Sequence, residues 1–479
     1  MSELIELQNI QKENLERAKK NLPKWVYYNE KGALKVDAQQ LAYEVIKEIP
    51  MIIAPDVSFG ARFDKNIGAW RLDSLSDFLD VYITDKLEPV GMWNTRTLTV
   101  TKTFIFIRIR DVTLTENPFD LSDPCLANFK NGTYNIKTGE MKDHDTKDYI
   151  LQSQEYAIDP QNNQKPEKTL SWLNDLTGDE KSVAYLMEMI GYCFYRSYEP
   201  FQCISILQGN GKNGKSTFLN LLTKMLGKRN VSNVTLQDLG NKQNRFSSSN
   251  LYQKLANVFA DIDSEFIKST GLLKTLTGGD RLAAERKMKD AFMFVNFAKL
   301  IFSANELPAF SDFTTGFERR LYVVPFDRVI DEAFKEKHDL KAIESEIPVF
   351  TVECMKMFNR ALERKEMTVS DKMKQAKDKW LKESNHVARF LEEMCDIDME
   401  SNEGDSSKMI YEEYQNFCFR ESIRELSQPR FTKQLETLGI YKKNPRINGQ
   451  RMKRYIHLFL KKIFLTLTTK KNRTTRTTC

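Results

Sequence analysis

Eight residues, Gly209-Asn210-Gly211-Lys212-Asn213-Gly214-Lys215-Ser216, limit what this chain can fold into more than any other stretch. They match G-x-x-x-x-G-K-[ST] at every fixed position. The apolar run 203–207 before them reads as a buried strand, and the run that Thr217 opens, ending near Gly227, reads as a helix. Glycines let successive backbone N–H groups turn inward, and the helix adds the positive end of its dipole, so the loop reads as a cradle for phosphates. Gly209 to Thr217 are therefore the candidate ATP-binding residues. Lys215 would reach the β- and γ-phosphates, and Ser216 would ligate Mg²⁺. The competing account is a glycine turn before a core helix, and the strand and helix flanks speak against it.

A phosphate loop needs acidic and polar partners at neighbouring strand ends. The strand-like run 255–260 is followed by Asp261-Ile262-Asp263. Asp261 is expected to hold the metal and Asp263 to orient or deprotonate the attacking water, with Glu265 as the alternative. A third run, 299–304, ends at Asn305, where a side chain could set water against the γ-phosphate; alone, such an Asn is a turn residue. Arg319-Arg320 precede a fourth run, 321–324. Paired arginines are ordinary surface charge, but in an ATPase they can form a finger on a neighbouring subunit's nucleotide. Short apolar runs alternating with helices from 203 to 326 predict an α/β core, a parallel sheet covered by helices.

Around this core (199–330) the chain divides by pattern. Residues 1–110 mix helical and strand-like stretches without a motif. Residues 111–198 begin with a hairpin signal at Asn131-Gly132 and turn helical. A charged helical stretch, 331–385, reads as a lid or connector, and 386–460 as a small compact module. Basic and acidic residues number 72 and 66, and the excess of six resides in the tail 461–479, which carries no acid. Such a tail binds nucleic acid or is simply solvated. The seven cysteines are scattered singly and the four histidines stand apart, which argues against a zinc ribbon or a disulfide framework. No apolar run is long enough to span a bilayer, and the N-terminus lacks a signal-peptide core, so a cytoplasmic protein without a membrane partner is expected.

The order of these elements carries a resemblance. LQGNGKNGKST, LKTLTGGDRLAAERK, LIFSANELP and FERRLYVVPFD resemble motifs of the superfamily 3 helicases. The match is to the poxvirus-type primase-helicase family of phages and mobile genetic elements. The stretch from LANFKNGTYNIKTG to LMEMIGYCFYR resembles the domain preceding that family's motor. The resemblance implies an AAA+ motor assembled as a homo-hexameric ring that unwinds DNA 3′ to 5′ during replication. By position it puts Asp261 on the metal acid, Asn305 on sensor 1 and Arg320 on the finger, with Arg319 second. Arg286, Lys287 and Lys289 would lie at a β-hairpin gripping DNA; without the family they read as a solvated charged turn. Larger relatives carry a primase upstream. Residues 1–110 hold no histidine and no Asp-x-Asp pair, so primer synthesis is not expected.

The module 386–460 has the pattern of a winged helix. Val387, Phe390, Leu391 and Met394 mark one helix, and Ile410, Tyr411, Tyr414, Phe417 and Cys418 a second. A third starts at Ser427 and Pro429, buries Phe431, Leu435 and Leu438, and ends at Gly439. Strands 440–447 and 451–458 would flank a turn at Asn448-Gly449. Arg430 and Lys433 on the helix, and Lys442, Lys443, Arg451 and Lys453 on the hairpin, are candidate DNA contacts; a winged helix serving protein contacts is the alternative. Taken together, the sequence predicts an ATP-dependent helicase on single-stranded and forked DNA, with origin DNA and replication proteins as further partners. Two rivals remain open: a DNA-binding initiator with a switch-type ATPase, and a P-loop ATPase that remodels protein complexes.

Overall fold

The computed structural model describes residues 22–461 except 54–59, 111–115, 241–245, 264, 266, 268, 287, 288, 311, 313, 402, 422–424, 445, 448, 449 and 452. The basic tail beyond 461, the Asn448-Gly449 turn and Lys287 lie outside the described residues. Two compact units form: 1–307 with 314–377, and 308–313 with 378–479.

In the first unit, three helices, Ala38–Glu48, Leu75–Leu87 and Thr95–Arg108, bury Leu41, Val45, Leu79, Ile83 and Ile105 against one another. Each starts on a side-chain cap: Asp37, Ser74 and Asn94 accept from backbone N–H groups of their first turns, a device worth about 1 kcal/mol apiece. Beside them lies an antiparallel sheet of Met51–Ile53, Gly60–Asp64 and Ala69–Arg71.

The expected hairpin is present, with Leu126–Phe129 paired to Gly132–Asn135. Its register places Phe129 opposite Gly132, so the loop is Lys130-Asn131, one residue earlier than Asn131-Gly132. Gly132 is needed inside the strand instead: at φ 148° its missing Cβ would stand 2.6 Å from the Lys142 carbonyl oxygen.

The helix Glu180–Phe194 is buried around most of its circumference. Ile347–Arg364 packs along it, burying Phe350, Met355 and Phe358 in the same core. The stretch read as a lid or connector thus contributes the apolar face of a helix to the interior. Gly191 sets how closely the two helices approach, since a Cβ there would meet the Cys354 carbonyl oxygen at 2.2 Å and Phe358 Cβ at 2.6 Å. The buried carboxylate of Glu188 accepts from Arg364, Thr368 N and Thr368 Oγ1, which satisfies it.

The central core is a five-stranded parallel sheet in the order Val231–Ser232, Ala256–Phe259, Lys299–Ala304, Ile204–Gln208, Leu321–Pro325. The four longer strands are apolar runs, as sheets covered on both faces require. Between Ala256–Phe259 and Lys299–Ala304 the chain inserts a helix, Gly271–Gly278, and an antiparallel hairpin, Arg281–Arg286 with Lys289–Val295. Tyr252 meets Phe292 and Phe294 edge-on at 4.9 and 5.4 Å and anchors the hairpin's base.

In the second unit, helices His386–Met394, Ser407–Arg420 and Gln428–Thr437 share a core of Val387, Phe390, Ile410, Tyr414, Phe417, Phe431 and Leu435. Cys395–Ile397 pairs antiparallel with Leu458–Leu460, a strand pair the sequence pattern did not show. The two long strands expected at 440–447 and 451–458 are broken into short pairs, Lys442–Lys443 with Arg454–Tyr455 and Arg446–Ile447 with Gln450–Arg451. Leu438 is 44% exposed, not buried. It falls past the last helical residue, and Gly439 at φ 81° turns the chain away there. Ser427 occupies the N-cap position without a side-chain bond.

Candidate functional site

The parallel register sets the site. Ile204–Gln208 lies between Lys299–Ala304 and Leu321–Pro325, and the loop that follows it opens at the carboxyl ends of all three, where open α/β sheets bind ligands. Gly209 starts the loop against the Phe326 carbonyl oxygen, which a Cβ would approach to 2.5 Å. The loop is stapled from one side: Ile330 N donates to Lys212 O at 2.8 Å, and Asn213 Nδ2 donates to Arg328 O at 2.9 Å. Gly214, at φ 80°, turns the chain into the helix Lys215–Leu226, whose Phe218, Leu222 and Met225 face the core.

Lys215 is 7% exposed and folds back over the loop. Its Nζ donates to Gly209 O at 2.5 Å and to Asn305 Oδ1 at 3.0 Å. Asn305 in turn donates through Nδ2 to Asp261 Oδ1 at 3.0 Å. Three residues from three strand ends, separated by up to 90 positions, thus form one polar chain: ammonium, amide, carboxylate. Burial pulls the Lys215 pKa down, and the nearby Asp261 carboxylate works against that.

Asp261 adopts φ 58°, a left-handed conformation that Asp tolerates. Ser303 holds the bend, accepting from Asp261 N through Oγ at 3.0 Å and from Ile262 N through its carbonyl at 2.8 Å. Sequence reasoning missed Ser303; its signal was a hydroxyl inside an otherwise apolar strand.

The remaining expected residues are placed as follows. Ser216 is exposed on the first helical turn. Thr217 lines a cleft on the helix flank with Asn220 and Leu221. Asn210 and Lys212 are exposed, and Gly211 takes φ 92°. Asp263 is exposed beyond the bend, its carbonyl accepting from Gln237 Nε2 at 2.7 Å, and its carboxylate is not part of the polar chain. Glu265 is also exposed.

Arg319 and Arg320 lie at the opposite rim. Leu321 pairs with Ile204 and Pro325 with Gln208, so the arginines enter the sheet where the P-loop strand begins, about 16 Å from where it ends, at 3.3 Å per residue. Neither can reach the loop of its own chain. Arg320 is buried, donating through Nε to Thr277 Oγ1 at 2.9 Å and through Nη1 to Gly316 O. Burial is the first cause of its lowered pKa, and neighbouring Arg319 adds to it. Arg319 is exposed, with Nη2 on Gln202 Oε1 at 2.6 Å. Thr277 and Gln202 were also missed, since their roles depend on contacts far away in sequence.

Among the DNA candidates, Arg286 and Lys289 pair with each other in register at the end of the inserted hairpin. In the second unit, Arg430 and Lys433 are exposed on Gln428–Thr437, and Lys443 and Lys453 are exposed near one another's strands. Lys442 is half-buried with Nζ 5.4 Å from the Tyr455 ring centre; burial, then Lys453, lowers its pKa. Arg451 pairs with Arg446 in the short outer strand pair. No helix among the described residues is long and apolar enough to cross a membrane.

Comparison with known proteins adds two family models on adjoining parts of the chain. Residues 17–178 match "D5 N terminal like", and residues 207–320 match a "Family of unknown function (DUF5906)". The first begins well upstream of the motifs quoted above. A "Putative helicase" of Invertebrate iridescent virus 3 is 26% identical over 310 residues, 57% of this chain and 33% of that protein. A "Putative helicase" of Acanthamoeba polyphaga mimivirus is 28% identical over 212 residues, 42% of this chain and 22% of that protein. The chain therefore spans a third or less of the curated relatives it matches. The solved C-terminal region of NrS-1, in its A-form apo structure, aligns with 88% of this chain and 100% of that one at 13% identity, with a TM-score of 0.47. Over parts of its length the chain is therefore similar to the D5 N-terminal type family and to viral proteins named as putative helicases.

Proposed function

We propose that this chain is the ATP-hydrolysing motor of a replicative DNA helicase of a mobile element, working as a homo-hexameric ring on single-stranded DNA. The observation that carries the reading is the polar chain Lys215–Asn305–Asp261 across three parallel strand ends. The donor set fits a magnesium nucleotide: backbone N–H groups at a helix start, one ammonium folded over the loop, a first-turn hydroxyl and an exposed carboxylate. Residues 209–217 would hold the phosphates, and Ser216 and Asp261 the metal. Bound Mg²⁺ would neutralise charge developing on the phosphates. Lys215 would add a positive charge there, and Asn305 would keep Lys215 and Asp261 at fixed spacing while presenting an amide to the attacking water. Asp263, two residues on, would assist that water only if the bend at Asp261 rearranged.

The finger would come from a neighbouring copy, since the arginine pair lies a strand length from its own loop. Exposure favours Arg319 for the reach and gives Arg320, tied to Thr277 and Gly316, the task of holding it. The second unit would act as a winged helix, a reading its order of helix, strand, two helices and short strand pairs supports, and would make duplex contacts through Arg430, Lys433, Lys442, Lys443, Arg451 and Lys453.

The decisive experiment measures phosphate release with and without single-stranded DNA, and strand separation on a fork. Wild type should be stimulated by DNA and should unwind, and Lys215→Ala should do neither while remaining folded. Unwinding by Lys215→Ala at the wild-type rate would refute the reading.

A further inference from the structure

A second cleft lies on the flank of the motor, away from the polar chain. Its volume is about 610 Å³, within the range of small-ligand sites. Three cations from separate parts of the chain line it: Arg71 from the N-terminal sheet, Arg229 from the turn after the P-loop helix, and Lys254 before the Asp261 strand. The lining holds one carboxylate, Glu285.

Two of the cations are fixed from behind. Arg71 Nε lies 2.7 Å from Asp64 Oδ2, and Lys254 Nζ donates to the Arg229 carbonyl oxygen at 2.5 Å. The guanidinium of Arg229 is different: it is exposed and has no hydrogen-bond or ion-pair partner among the described residues. Asp64, Asp73 and Glu155 act on it from beyond contact distance. Partial desolvation by the cleft walls first, and then the charge of Arg71, lowers the Arg229 pKa; burial and Arg229 do the same to Lys254. Gathering like charges costs free energy that an anion would return. Phe246, 43% exposed, stands on the same lining, and Tyr252 closes the floor. Cations beside an open aromatic ring suit phosphates attached to a flat base.

We propose that this cleft is a second phosphate site, separate from the loop at 209–216, which takes nucleotide phosphates, free or in a strand, on Arg229, Arg71 and Lys254 with a base against Phe246. If the phosphates belong to a strand, the site extends the DNA track of the proposed motor, and only that part rests on the helicase reading.

The test uses the full chain and four forms: Lys215→Ala as parent, and Arg229→Ala, Arg229→Glu and Phe246→Ala added to it. The parent change silences the P-loop. One arm titrates a fluorescent oligo-dT at several salt concentrations. Arg229→Ala should flatten the slope of log K against log salt by about 0.7, the value of one phosphate contact on a single strand. Arg229→Glu should weaken binding further, and Phe246→Ala should weaken it at every salt without changing the slope. The other arm titrates inorganic tripolyphosphate by calorimetry. A loss confined to oligo-dT assigns the site to a strand, and a loss of tripolyphosphate binding assigns it to a free nucleotide. Thermal unfolding of each variant checks the fold. If oligo-dT binds the parent and all three variants alike, with equal slopes and no change in tripolyphosphate binding, the cleft proposal falls and the helicase reading stands. If the parent binds no oligo-dT, the helicase reading fails, and the cleft is judged on tripolyphosphate alone: binding lost in Arg229→Glu upholds it, and unchanged or absent binding overturns it.

Discussion

Replacing Asn305 with alanine removes one acceptor from the Lys215 ammonium and one donor to the Asp261 carboxylate, each at 3.0 Å. Hydrogen bonds to charged groups contribute about 1.5–3 kcal/mol when buried, but Asn305 is exposed, so the folded state should lose no more than about 0.5 kcal/mol. The cost should fall on hydrolysis instead. Losing one positioned polar group at a reacting centre lowers kcat by about 10²–10³-fold, or about 2.7–4 kcal/mol. Phosphate release at saturating ATP should therefore fall by at least about 100-fold, while nucleotide affinity and the melting curve stay as in wild type. Asn305→Asp sharpens the test. It brings a second carboxylate to about 3 Å from Asp261, a repulsion of about 1.4 kcal/mol in water and about 5.5 kcal/mol at an effective dielectric of 20. That variant should be slower than Asn305→Ala at low salt and recover part of the difference as salt rises. If Asn305→Ala hydrolyses within about threefold of wild type, a barrier change below about 1 kcal/mol, the polar chain is a packing accident of three strand ends.

Further outcomes follow from other contacts. Arg319→Ala should keep ATP binding and thermal stability and lose about 10³-fold in hydrolysis, whereas Arg320→Ala should also melt lower, since it strips buried bonds to Thr277 and Gly316; equal melting of the two would refute the division of roles. Lys299, buried between the carbonyls of Tyr195 and Phe297 at 2.7 and 2.6 Å, has its pKa pulled by burial from 10.5 to about 7. The unfolded chain therefore binds the extra proton between those values, so stability rises with pH across that window; urea midpoints of Lys299→Met should lose this rise. Gly191→Ala should lower the urea midpoint by about 1–3 kcal/mol of stability or more, because the clash is with a backbone carbonyl; an unchanged midpoint would show that the two helices separate freely.

The site was largely legible because its parts are local words. A glycine loop between strand and helix, and polar residues where apolar runs stop, can be read without knowing the fold. The links between those parts were not legible. Lys215 finds Asn305 across 90 positions, and Ser303 holds the Asp261 bend across 42. Similarly, Arg319 and Arg320 sit in the turn between the short helix Thr315–Glu318 and the strand at Leu321, and only the position of Thr277 shows which of them turns inward. The helix Ile347–Arg364 read as part of a charged lid or connector because the stretch 331–385 around it is rich in charge, and its partner Gly191 is far away in sequence. In the second unit, short strand pairs escaped because few residues per strand leave no period to detect.

The register between the P-loop strand and the arginine strand has a consequence for assembly. One end of that strand pair offers a phosphate loop and the other an exposed arginine. A copy using its arginine end on a neighbour presents the opposite end to a third copy. Two copies facing each other across a twofold axis would each complete the other's site and leave no end free. An assembly larger than a dimer built on this contact would be heterologous, and it would either close on itself as a ring or run on as a helical filament. Every member would then play donor to one side and acceptor to the other, so such an assembly would carry a direction around its circumference. A motor that must advance one way along a strand could inherit that direction from two hydrogen-bonded strands of five residues each.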